Sequence, residues 1–336
     1  MEKAKLLTLR ITERCNLACR YCYAARAEQG DMPFGIAALA IDRFAGSGRK
    51  LKIQFTGGEP LLCLDLMEQA AAYARQQGIA ASFSVQTNGT LLSEAACRAL
   101  KAMNCAVGVS LDGMAGVNAL RVYPDGRPAF QDAVAGIKRL GAQGMRCNLN
   151  AVVTRVNQHK LHELIDLAAY LGNIRGVGLD MFRPLGRGKG GAFAPDASLK
   201  ADIARMAARA SELKALGADV RIKEVEKLRY MAQRGITGGC YCYAGTGESF
   251  AVDYNGDVYP CSSFAGLAEY CMGNIAGELC APQPDVCLPD AACTGCRYLP
   301  LCRGGCPAGR AACGGLNRGD CAMHQAFIDY ERENHG

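Results

Sequence analysis

The chain has 336 residues, of which 50% are hydrophobic and 21% are charged. That balance is typical of a globular protein and excludes a disordered one, and the length favours about two domains. No apolar run approaches the roughly 20 residues needed to span a bilayer, and the N-terminus lacks the apolar core of a signal peptide. We therefore expect a cytoplasmic protein with no membrane partner. The net charge of +6 is spread along the chain and tryptophan is absent, so the sequence gives no nucleic-acid signal.

Short apolar runs alternate with helical patterns over the first two hundred residues. Runs rich in Val, Ile, Leu and Phe predict strands buried on both faces at 5–11, 51–56, 80–87, 105–111, 146–153 and 174–182. Helical patterns separate them at 36–46, 64–77, 93–102, 129–143 and 159–171. This order implies parallel strands joined by right-handed crossovers. We predict an α/β fold, a partial (β/α)6 barrel of the TIM type, with its active site at the carboxyl ends of the strands.

The cysteines are distributed unevenly. Seven precede residue 150, none lies between 148 and 239, and twelve lie between 240 and 321. Thiols stay reduced in the cytosol, so such density indicates metal or redox chemistry rather than disulfides. Four early cysteines fall in or near predicted helices and strands, where a free thiol behaves as a small apolar group. We expect these four to pack in the core: Cys63, Cys97, Cys105 and Cys147.

The first predicted strand leads directly into three closely spaced cysteines, Cys15, Cys19 and Cys22. A [4Fe–4S] cluster takes four ligands, normally all cysteines, so a loop with three leaves one iron open to a small molecule. The spacing, with Tyr21 before the last cysteine, resembles the radical S-adenosylmethionine (radical SAM) family. The resemblance implies that SAM binds the open iron and that one electron from the cluster releases a 5′-deoxyadenosyl radical. A zinc knuckle or a redox cysteine cluster is the alternative interpretation.

Motifs after the later strands resemble further parts of the same family. The turn Gly57-Gly58-Glu59-Pro60 follows the second strand and looks like the family's GGEP motif, which holds the amino group of SAM. Its glycines allow close backbone approach, and an ammonium needs acceptors. The resemblance implies that segments after the third and fourth strands also line the SAM site, although ordinary turn chemistry gives similar residues. These segments contain Thr87, Asn88, Ser110 and Asp112.

An arginine after the sixth strand is a candidate for binding a carboxylate of SAM or of the substrate. A guanidinium binds a carboxylate through two parallel hydrogen bonds, and Arg183 lies at the right place in the predicted barrel. Arg121 and Arg155 are rival candidates. We therefore place Arg183 with Tyr21 and the GGEP turn among the expected cofactor-binding residues.

Changes in the predicted secondary structure and in cysteine content mark the domain boundaries. The barrel is predicted to occupy residues 1–195, followed by a helical bridge over 196–239 with a helix at 196–216, a short strand at 219–224 and a helix at 225–234. The cysteine-rich segment takes 240–321 and begins with a hairpin around an Asn-Gly turn. A charged helix covers the remainder, 322–336, and we expect it to pack back on the barrel.

The cysteine-rich segment resembles the SPASM extension of radical SAM enzymes. Its spacings fit: Cys240 or Cys242, then Gly256-x4-Cys261, then a C-x2-C-x5-C-x3-C run and a last cysteine. The resemblance implies two auxiliary [4Fe–4S] clusters, and hence three clusters in all. Cluster I takes Cys242 or Cys240, with Cys261 and Cys306. Cluster II takes Cys293, Cys296, Cys302 and Cys321. The fourth ligand of cluster I stays open among the other member of the 240/242 pair, Cys271, Cys280, Cys287, Cys313 and a substrate thiol.

The resemblance implies an oxidoreductase that modifies a peptide or protein, with an external one-electron donor such as flavodoxin or ferredoxin. Our first hypothesis is a maturase that forms a thioether or carbon–carbon crosslink in a ribosomally made peptide. The second is an anaerobic sulfatase maturase that makes formylglycine from cysteine or serine. In that family a basic aspartate follows the G-x4-C cysteine, but here Ser262 follows Cys261, and a hydroxyl is a poor base.

Two further interpretations differ in class. One is maturation of a small redox cofactor, such as a haem or a quinone derived from a peptide. The other is a multi-cluster electron carrier without enzymatic activity. The GGEP turn disfavours the carrier, because a carrier needs no SAM pocket. The residues do not identify a catalytic base.

Overall fold

An open sheet of nine strands forms the framework of the computed structural model, which describes residues 4–24, 30–46 and 50–335. Across the sheet the strands follow the order β7-β6-β5-β4-β3-β2-β1-β8-β9. All neighbours pair in parallel except β8 and β9. The strands are β1 (Leu6–Thr12), β2 (Leu51–Gly57), β3 (Ala81–Thr87), β4 (Ala106–Ser110), β5 (Cys147–Val153), β6 (Ile174–Met181), β7 (Arg221–Ile222), β8 (Ser249–Val252) and β9 (Val258–Tyr259).

Helices connect the strands and cover the sheet. Between β1 and β6 each crossover carries one α-helix, which gives the alternation that the sequence predicts. In chain order the α-helices within the described ranges are α1 (Phe34–Phe44), α2 (Leu64–Gln76), α3 (Glu94–Ala102), α4 (Phe130–Ala142), α5 (Leu161–Leu171), α6 (Leu199–Ala215), α7 (Lys223–Gln233), α8 (Leu299–Cys302), α9 (Pro307–Cys313) and α10 (Arg318–His335).

Local chemistry explains where these elements form. In β1, Leu7 and Leu9 on one face and Arg10 on the other are all buried, as expected for a strand covered on both faces. The Ser93 side chain caps α3 by accepting a hydrogen bond from the amide of Ala96. The six predicted barrel strands agree with the observed ones to within a few residues, and the sheet does not close, so the predicted partial barrel is confirmed.

The cysteine-rich segment joins the barrel through its hairpin. The predicted hairpin is present as β8 and β9, but β8 also pairs in parallel with β1, with Leu6 opposite Ser249. Buried Arg10 of β1 forms ion pairs with Glu13 and with Asp253, which follows β8. The hairpin therefore extends the barrel sheet, and this long-range pairing was not predicted because local patterns carry no information about a distant partner strand.

The C-terminal helix packs against the bridge helices. Asp329 of α10 pairs with Lys200 of α6 at 2.6 Å, and Phe327 is fully buried. The hydroxyl of Tyr330 lies 2.5 Å from that of Ser211 in α6. The helix α10 contacts α6 and α7 of the bridge, and its buried residues share the main hydrophobic core with the barrel strands, so it packs on the bridge and on the barrel.

Cysteines outside the two dense regions pack as expected for apolar residues. Cys97, Cys105 and Cys147 are buried in the main core. Cys63 is half-buried at the edge of that core, with its sulfur 3.9 Å from a guanidinium nitrogen of Arg14. No helix among the described residues is both long enough and apolar enough to cross a membrane.

Candidate functional site

A cavity of about 480 Å³ opens at the carboxyl ends of the barrel strands. Its wall comes from the cysteine loop after β1, from strands β2 to β6 and the segments that follow β2 to β4, from the start of α7 and from the turn after β9. Cys15, Cys19 and Cys22 all contribute to this wall, as does the Gly57-Gly58 turn. The fold therefore gathers motifs from distant parts of the chain around one space of the size that small-ligand sites have.

The cysteine loop is held in place by polar contacts with the segment after β4. The amides of Ala18 and Arg20 donate hydrogen bonds to the carbonyls of Val122 and Leu120, at 2.7 and 2.9 Å. Burial raises the pKa of the Cys19 thiol, although nearby Arg121 opposes that effect. A neutral thiol must lose its proton before it binds a metal, so occupation of this loop is coupled to proton release.

Tyr21 and Asp112 contact each other directly behind the loop. The Tyr21 hydroxyl donates a hydrogen bond to the Asp112 carboxylate, and Arg121 binds the same carboxylate through two nitrogens at 2.9 and 3.0 Å. The Arg121 guanidinium also lies 5.5 Å from the centre of the Tyr21 ring. Both Tyr21 and Arg121 line the cavity, whereas Asp112 supports them from behind. This buried triad fixes the orientation of the cysteine loop.

The glycine-rich run after β6 supports the loop from the other side. The amide of Arg187 donates to the carbonyl of Cys22 at 3.0 Å, and its Nε donates to the carbonyl of Cys19 at 2.9 Å. Gly186 has φ +55°, and a Cβ there would lie 2.4 Å from the Cys22 carbonyl oxygen. This glycine-rich run therefore helps to hold the cysteine loop in place.

The Gly57-Gly58 turn lies against the backbone that leads into the cysteine loop. The amide of Gly58 donates to the carbonyl of Thr12 at 2.7 Å, and a Cβ on Gly58 would lie 2.1 Å from the carbonyl oxygen of Arg14. The close approach that the glycines permit is therefore made to protein backbone. The turn still presents its backbone to the cavity.

Glu59 lies behind the cavity wall and ties β2 to β3. Its carboxylate accepts hydrogen bonds from Thr87 Oγ1 at 2.6 Å, from the Asn88 amide at 2.7 Å and from the Leu61 amide at 3.1 Å. Burial raises its pKa to about 7, against the opposing effect of these donors. Pro60 is buried at the start of the short 3₁₀ turn that follows. Thr87 and Asn88 reach the cavity, so Glu59 positions two of the predicted site residues.

A chain of polar side chains crosses the floor of the cavity. The hydroxyl of Ser110 accepts a hydrogen bond from Gln86 at 2.9 Å, and the Gln86 carbonyl accepts one from Asn150. The Asn150 carbonyl in turn accepts one from Lys223 Nζ at 2.5 Å. Sequence reasoning selected Ser110 but missed the other three. Polar residues inside strands that are otherwise apolar are the signal that identifies Gln86 and Asn150.

Arg183 is not one of the cavity-lining residues that the structure describes, whereas its partner Asp180 is. Its guanidinium binds the Asp180 carboxylate at 2.8 and 3.1 Å. It lies 5.1 Å from the ring centre of Tyr23 and 3.8 Å from the sulfur of Cys306. The structure therefore places Arg183 between the cavity and the cysteine-rich segment.

The C-terminal cysteines form two separate groups. Cys261 interacts electrostatically with Cys242 and Cys306, and burial raises its pKa to about 12. Cys321 interacts with Cys293, Cys296 and Cys302, and burial raises its pKa to about 11. A small pocket is lined by all four members of the second group. The two groups correspond to the interleaved sets that the SPASM pattern implies.

The remaining candidates for the fourth ligand of the first group are placed differently. Cys240 and Cys287 are joined in a disulfide, so the expectation of free thiols does not hold for this pair. The sulfurs of Cys271 and Cys280 contact backbone carbonyls at 3.7 and 3.3 Å, and Cys313 is exposed. A disulfide sulfur is not a thiolate ligand, so this structure favours Cys242 over Cys240.

Single-ion metal sites are not found in the part of the chain that the structure describes. No three or more His, Cys, Asp or Glu side chains there are placed to hold one metal ion. The cysteine groups are defined by shared walls and mutual electrostatic interactions instead. Their donor chemistry, thiols alone, suits iron–sulfur clusters as well as all-cysteine zinc sites.

Comparison with known proteins identifies the family. The model of the radical SAM superfamily matches residues 9–168. An uncharacterised protein of Methanocaldococcus jannaschii is 31% identical over 273 residues, which cover 81% of this chain and 88% of that protein. This chain belongs to the radical SAM superfamily. It is therefore an enzyme, and the superfamily implies SAM and a [4Fe–4S] cluster as its cofactors.

Two further comparisons extend over nearly the whole chain. The serine-type anaerobic sulfatase-maturating enzyme of Klebsiella aerogenes is 29% identical over 345 residues, which cover 94% of this chain and 82% of that enzyme. The structure of native anSMEcpe with bound AdoMet and Cp18Cys peptide superposes with a TM-score of 0.83 at 22% identity, covering 98% and 96% of the two chains. This radical SAM enzyme thus shares its fold, including the cysteine-rich C-terminal part, with that structure.

Proposed function

We propose that this radical SAM enzyme modifies a residue of a ribosomally made peptide. Cys15, Cys19 and Cys22 hold the SAM-binding cluster, and the adjoining cavity takes SAM. When bound, the cluster and SAM supply a radical that removes a hydrogen atom from an unactivated carbon. The observation that carries the proposal is that the three cysteines share one cavity wall with the Gly57-Gly58 turn and with polar side chains from four further strands.

The chain's own residues bind and orient the cofactor. The backbone of Gly57 and Gly58 and the polar side chains of Thr87, Asn88 and Ser110 face the cavity, where they present acceptors and donors to the amino acid and ribose parts of SAM. Glu59 acts from behind by fixing the end of β3. Tyr21 and Asp112 act by orienting the cysteine loop, and Arg183 acts at the junction with the cysteine-rich segment.

The two C-terminal cysteine groups each hold an auxiliary [4Fe–4S] cluster in this proposal. Cys242, Cys261 and Cys306 supply the first, and Cys293, Cys296, Cys302 and Cys321 supply the second. The support is the mutual electrostatic interaction within each group. Because a small glycine-rich segment buries little apolar area, we infer that the metal contributes to its folding.

The substrate occupies the side of the cavity that faces the cysteine-rich segment. Asp180, Lys223 and Glu224 line that side together with Ser262 and Ser263, which directly follow Cys261. A residue bound there lies between the SAM-binding loop and the first auxiliary group. The Cp18Cys peptide in the structural relative supports a peptide as the substrate class.

A crosslink, either a thioether or a carbon–carbon bond, is the product that we favour. Formylglycine formation in the sulfatase maturases is linked to a basic aspartate after the G-x4-C cysteine, and this chain has Ser262 at that position. The hydroxyls of Ser262 and Ser263 face the cavity but do not ionise near neutral pH. This position therefore supplies no general base here.

Anaerobic sulfatase maturation is the second candidate. It is favoured by the similarity to the Klebsiella enzyme and to anSMEcpe over nearly the full chain. In either case an external one-electron donor, such as flavodoxin or ferredoxin, reduces the SAM-binding cluster. The two candidates differ in product, which makes them separable by mass spectrometry.

Anaerobic reconstitution followed by iron and sulfide analysis tests this proposal. We expect about twelve irons per chain for three clusters, 5′-deoxyadenosine upon reduction, and a peptide that has lost two hydrogens when candidates from neighbouring reading frames are supplied. Formylglycine in a sulfatase peptide selects the second candidate. About eight irons or fewer contradicts the two auxiliary clusters, and colourless protein that contains zinc contradicts the whole proposal.

A further inference from the structure

Removing two hydrogens from a peptide requires a group that accepts a proton. A substrate carbon first loses a hydrogen atom to the SAM-derived radical. Formation of the new bond then releases one proton and one electron from the substrate. The electron passes to an oxidised iron–sulfur centre, which the proposed function places in the cysteine-rich segment, and the proton needs a base in the cavity wall.

Two carboxylates are found among the cavity-lining side chains that the structure describes, Asp180 and Glu224. Asp180 is held in a two-point ion pair with Arg183, at 2.8 and 3.1 Å. Both of its carboxylate oxygens are therefore already occupied by hydrogen bonds from one guanidinium. Lys223 is a cation already bound to Asn150, and the hydroxyls of Ser262 and Ser263 are poor bases. These neighbours leave Glu224 as the carboxylate without an arginine partner.

The surroundings of Glu224 suit a proton acceptor. One carboxylate oxygen accepts a hydrogen bond from the Leu179 amide at 3.1 Å, and the other, Oε2, is buried without a hydrogen-bond partner among the described residues. A buried oxygen without a partner is costly unless a ligand or substrate group occupies the neighbouring space. Glu224 belongs to the first turn of α7, so it is carried by a helix rather than by a mobile loop.

Two lysines of its own helix and Tyr241, which precedes Cys242, interact electrostatically with Glu224. Lys223 and Lys227 of α7 lower its pKa, whereas burial raises it to about 7, the larger effect. Lys227 also interacts electrostatically with Cys242 and Cys306, and its ammonium lies 3.9 Å from the ring centre of Tyr241. Glu224 thus lies on the path between the SAM cavity and the first auxiliary cysteine group. A base poised near neutrality next to the electron acceptor suits coupled loss of a proton and an electron.

We propose that Glu224 is the catalytic base that takes the proton from the peptide residue after hydrogen-atom abstraction. The inference rests on the proposed function, because it assigns a residue to the second half of that reaction. It also explains how the enzyme can work without a carboxylate base at position 262, where this chain has a serine. The base is supplied instead from the bridge helix α7, which lines the same cavity.

The Glu224→Gln variant tests the proposal, with Glu226→Gln as a matched control two residues along the same helix. Glu226 is exposed and pairs with Arg229 at 3.8 Å. In the reconstituted Glu224→Gln enzyme we expect peptide product to fall about a hundredfold or more, while 5′-deoxyadenosine still forms. The ratio of 5′-deoxyadenosine to peptide product therefore rises, and Glu226→Gln keeps the wild-type ratio.

The pH profile and a conservative variant separate catalysis from structure. We expect the acid limb of wild-type product formation to disappear in Glu224→Gln, and Glu224→Asp to retain more product than Glu224→Gln at equal iron content. Product formation by Glu224→Gln within about twofold of wild type overturns the proposal. So does a parallel loss of 5′-deoxyadenosine, product and iron in both Glu224 variants. If wild type itself makes no 5′-deoxyadenosine with any peptide, the proposed function fails instead.

Discussion

Arg183 brings its guanidinium nitrogen Nη2 to 3.8 Å from the sulfur of Cys306. Arg183 follows the last long barrel strand, and Cys306 directly precedes α9 in the cysteine-rich segment. Because the same guanidinium binds Asp180 in the cavity wall, one side chain connects the SAM-binding part of the molecule to an auxiliary cysteine group. A buried cation beside a thiolate stabilises its charge, so we expect Arg183 to influence the reduction potential of the cluster that we propose for Cys306.

Replacing Arg183 by leucine tests that connection. We expect the reduction potential of the first auxiliary cluster to fall, because a positive charge beside a cluster favours its reduced, more negative state. Potentiometric titration monitored by electron paramagnetic resonance measures the shift. Arg205→Leu, an exposed arginine on α6 that pairs with Asp202 at 3.6 Å, serves as the control. An unchanged potential in Arg183→Leu at full iron content would contradict this role.

The Gly58 turn provides a second test. A methyl group at residue 58 would lie 2.1 Å from the backbone oxygen of Arg14, and backbone cannot move aside without shifting the cysteine loop. We expect Gly58→Ala to lose about four irons per chain and all 5′-deoxyadenosine formation. Gly35→Ala meets nothing within 4 Å and, inside helix α1, should stabilise slightly. A Gly58→Ala enzyme with full iron content and normal SAM cleavage would show that the contact is dispensable.

The choice between Cys240 and Cys242 can be made by iron counting. Cys242 interacts with Cys261, whereas Cys240 forms a disulfide with Cys287. We expect Cys242→Ala to lose about four of the twelve irons, with the signal of the SAM-binding cluster retained. We expect Cys240→Ala and Cys287→Ala to keep full iron content. Loss of iron in Cys240→Ala but not in Cys242→Ala would reverse the assignment.

Glu59 should make stability depend on pH. Burial raises its folded-state pKa to about 7, whereas an unfolded glutamate titrates near about 4.3. The unfolded chain therefore ionises first as pH rises, so the stabilising contribution is complete below about pH 4.3 and is lost as pH approaches about 7.

Anaerobic thermal unfolding of the reconstituted enzyme between about pH 5.5 and pH 7.5 measures this effect. We expect Tm to fall with rising pH in wild type and to fall less steeply in Glu59→Gln. Glu224 shifts in the same direction, so some slope remains. Glu68→Gln, on the exposed side of α2, should behave as wild type. Equal slopes in Glu59→Gln and wild type would mean that Glu59 titrates normally.

Local sequence patterns were sufficient to predict the barrel and to select several of the residues that line the cavity. Strands buried on both faces carry continuous apolar runs, and each crossover helix has its own period, so their order is readable without a structure. The cysteine spacings can likewise be read from the sequence alone. Cys261 and Cys306 lie far apart in sequence, yet they interact in the structure, and their assignment to one cluster stays a prediction.

The features that could not be predicted from the sequence all depend on contacts between distant parts of the chain. The pairing of β8 with β1 and the position of Lys223 and Glu224 at the barrel mouth depend on how the bridge folds back, which no local period encodes. Arg183 was selected because a guanidinium binds a carboxylate well, but that reasoning cannot identify which carboxylate it binds. Its partner proved to be the nearby Asp180. The Cys240–Cys287 disulfide was likewise hidden, because density alone does not pair cysteines.

The most direct test of the central claim is transfer of deuterium from peptide to cofactor. Candidate peptides labelled with deuterium at carbon are incubated anaerobically with the reconstituted enzyme, SAM and a reductant, and the 5′-deoxyadenosine is analysed by mass spectrometry. We predict that 5′-deoxyadenosine acquires deuterium from one of these peptides, and that the peptide loses two hydrogens in the same reaction. Formation of 5′-deoxyadenosine that never acquires deuterium from any peptide would contradict the assignment of a peptide substrate.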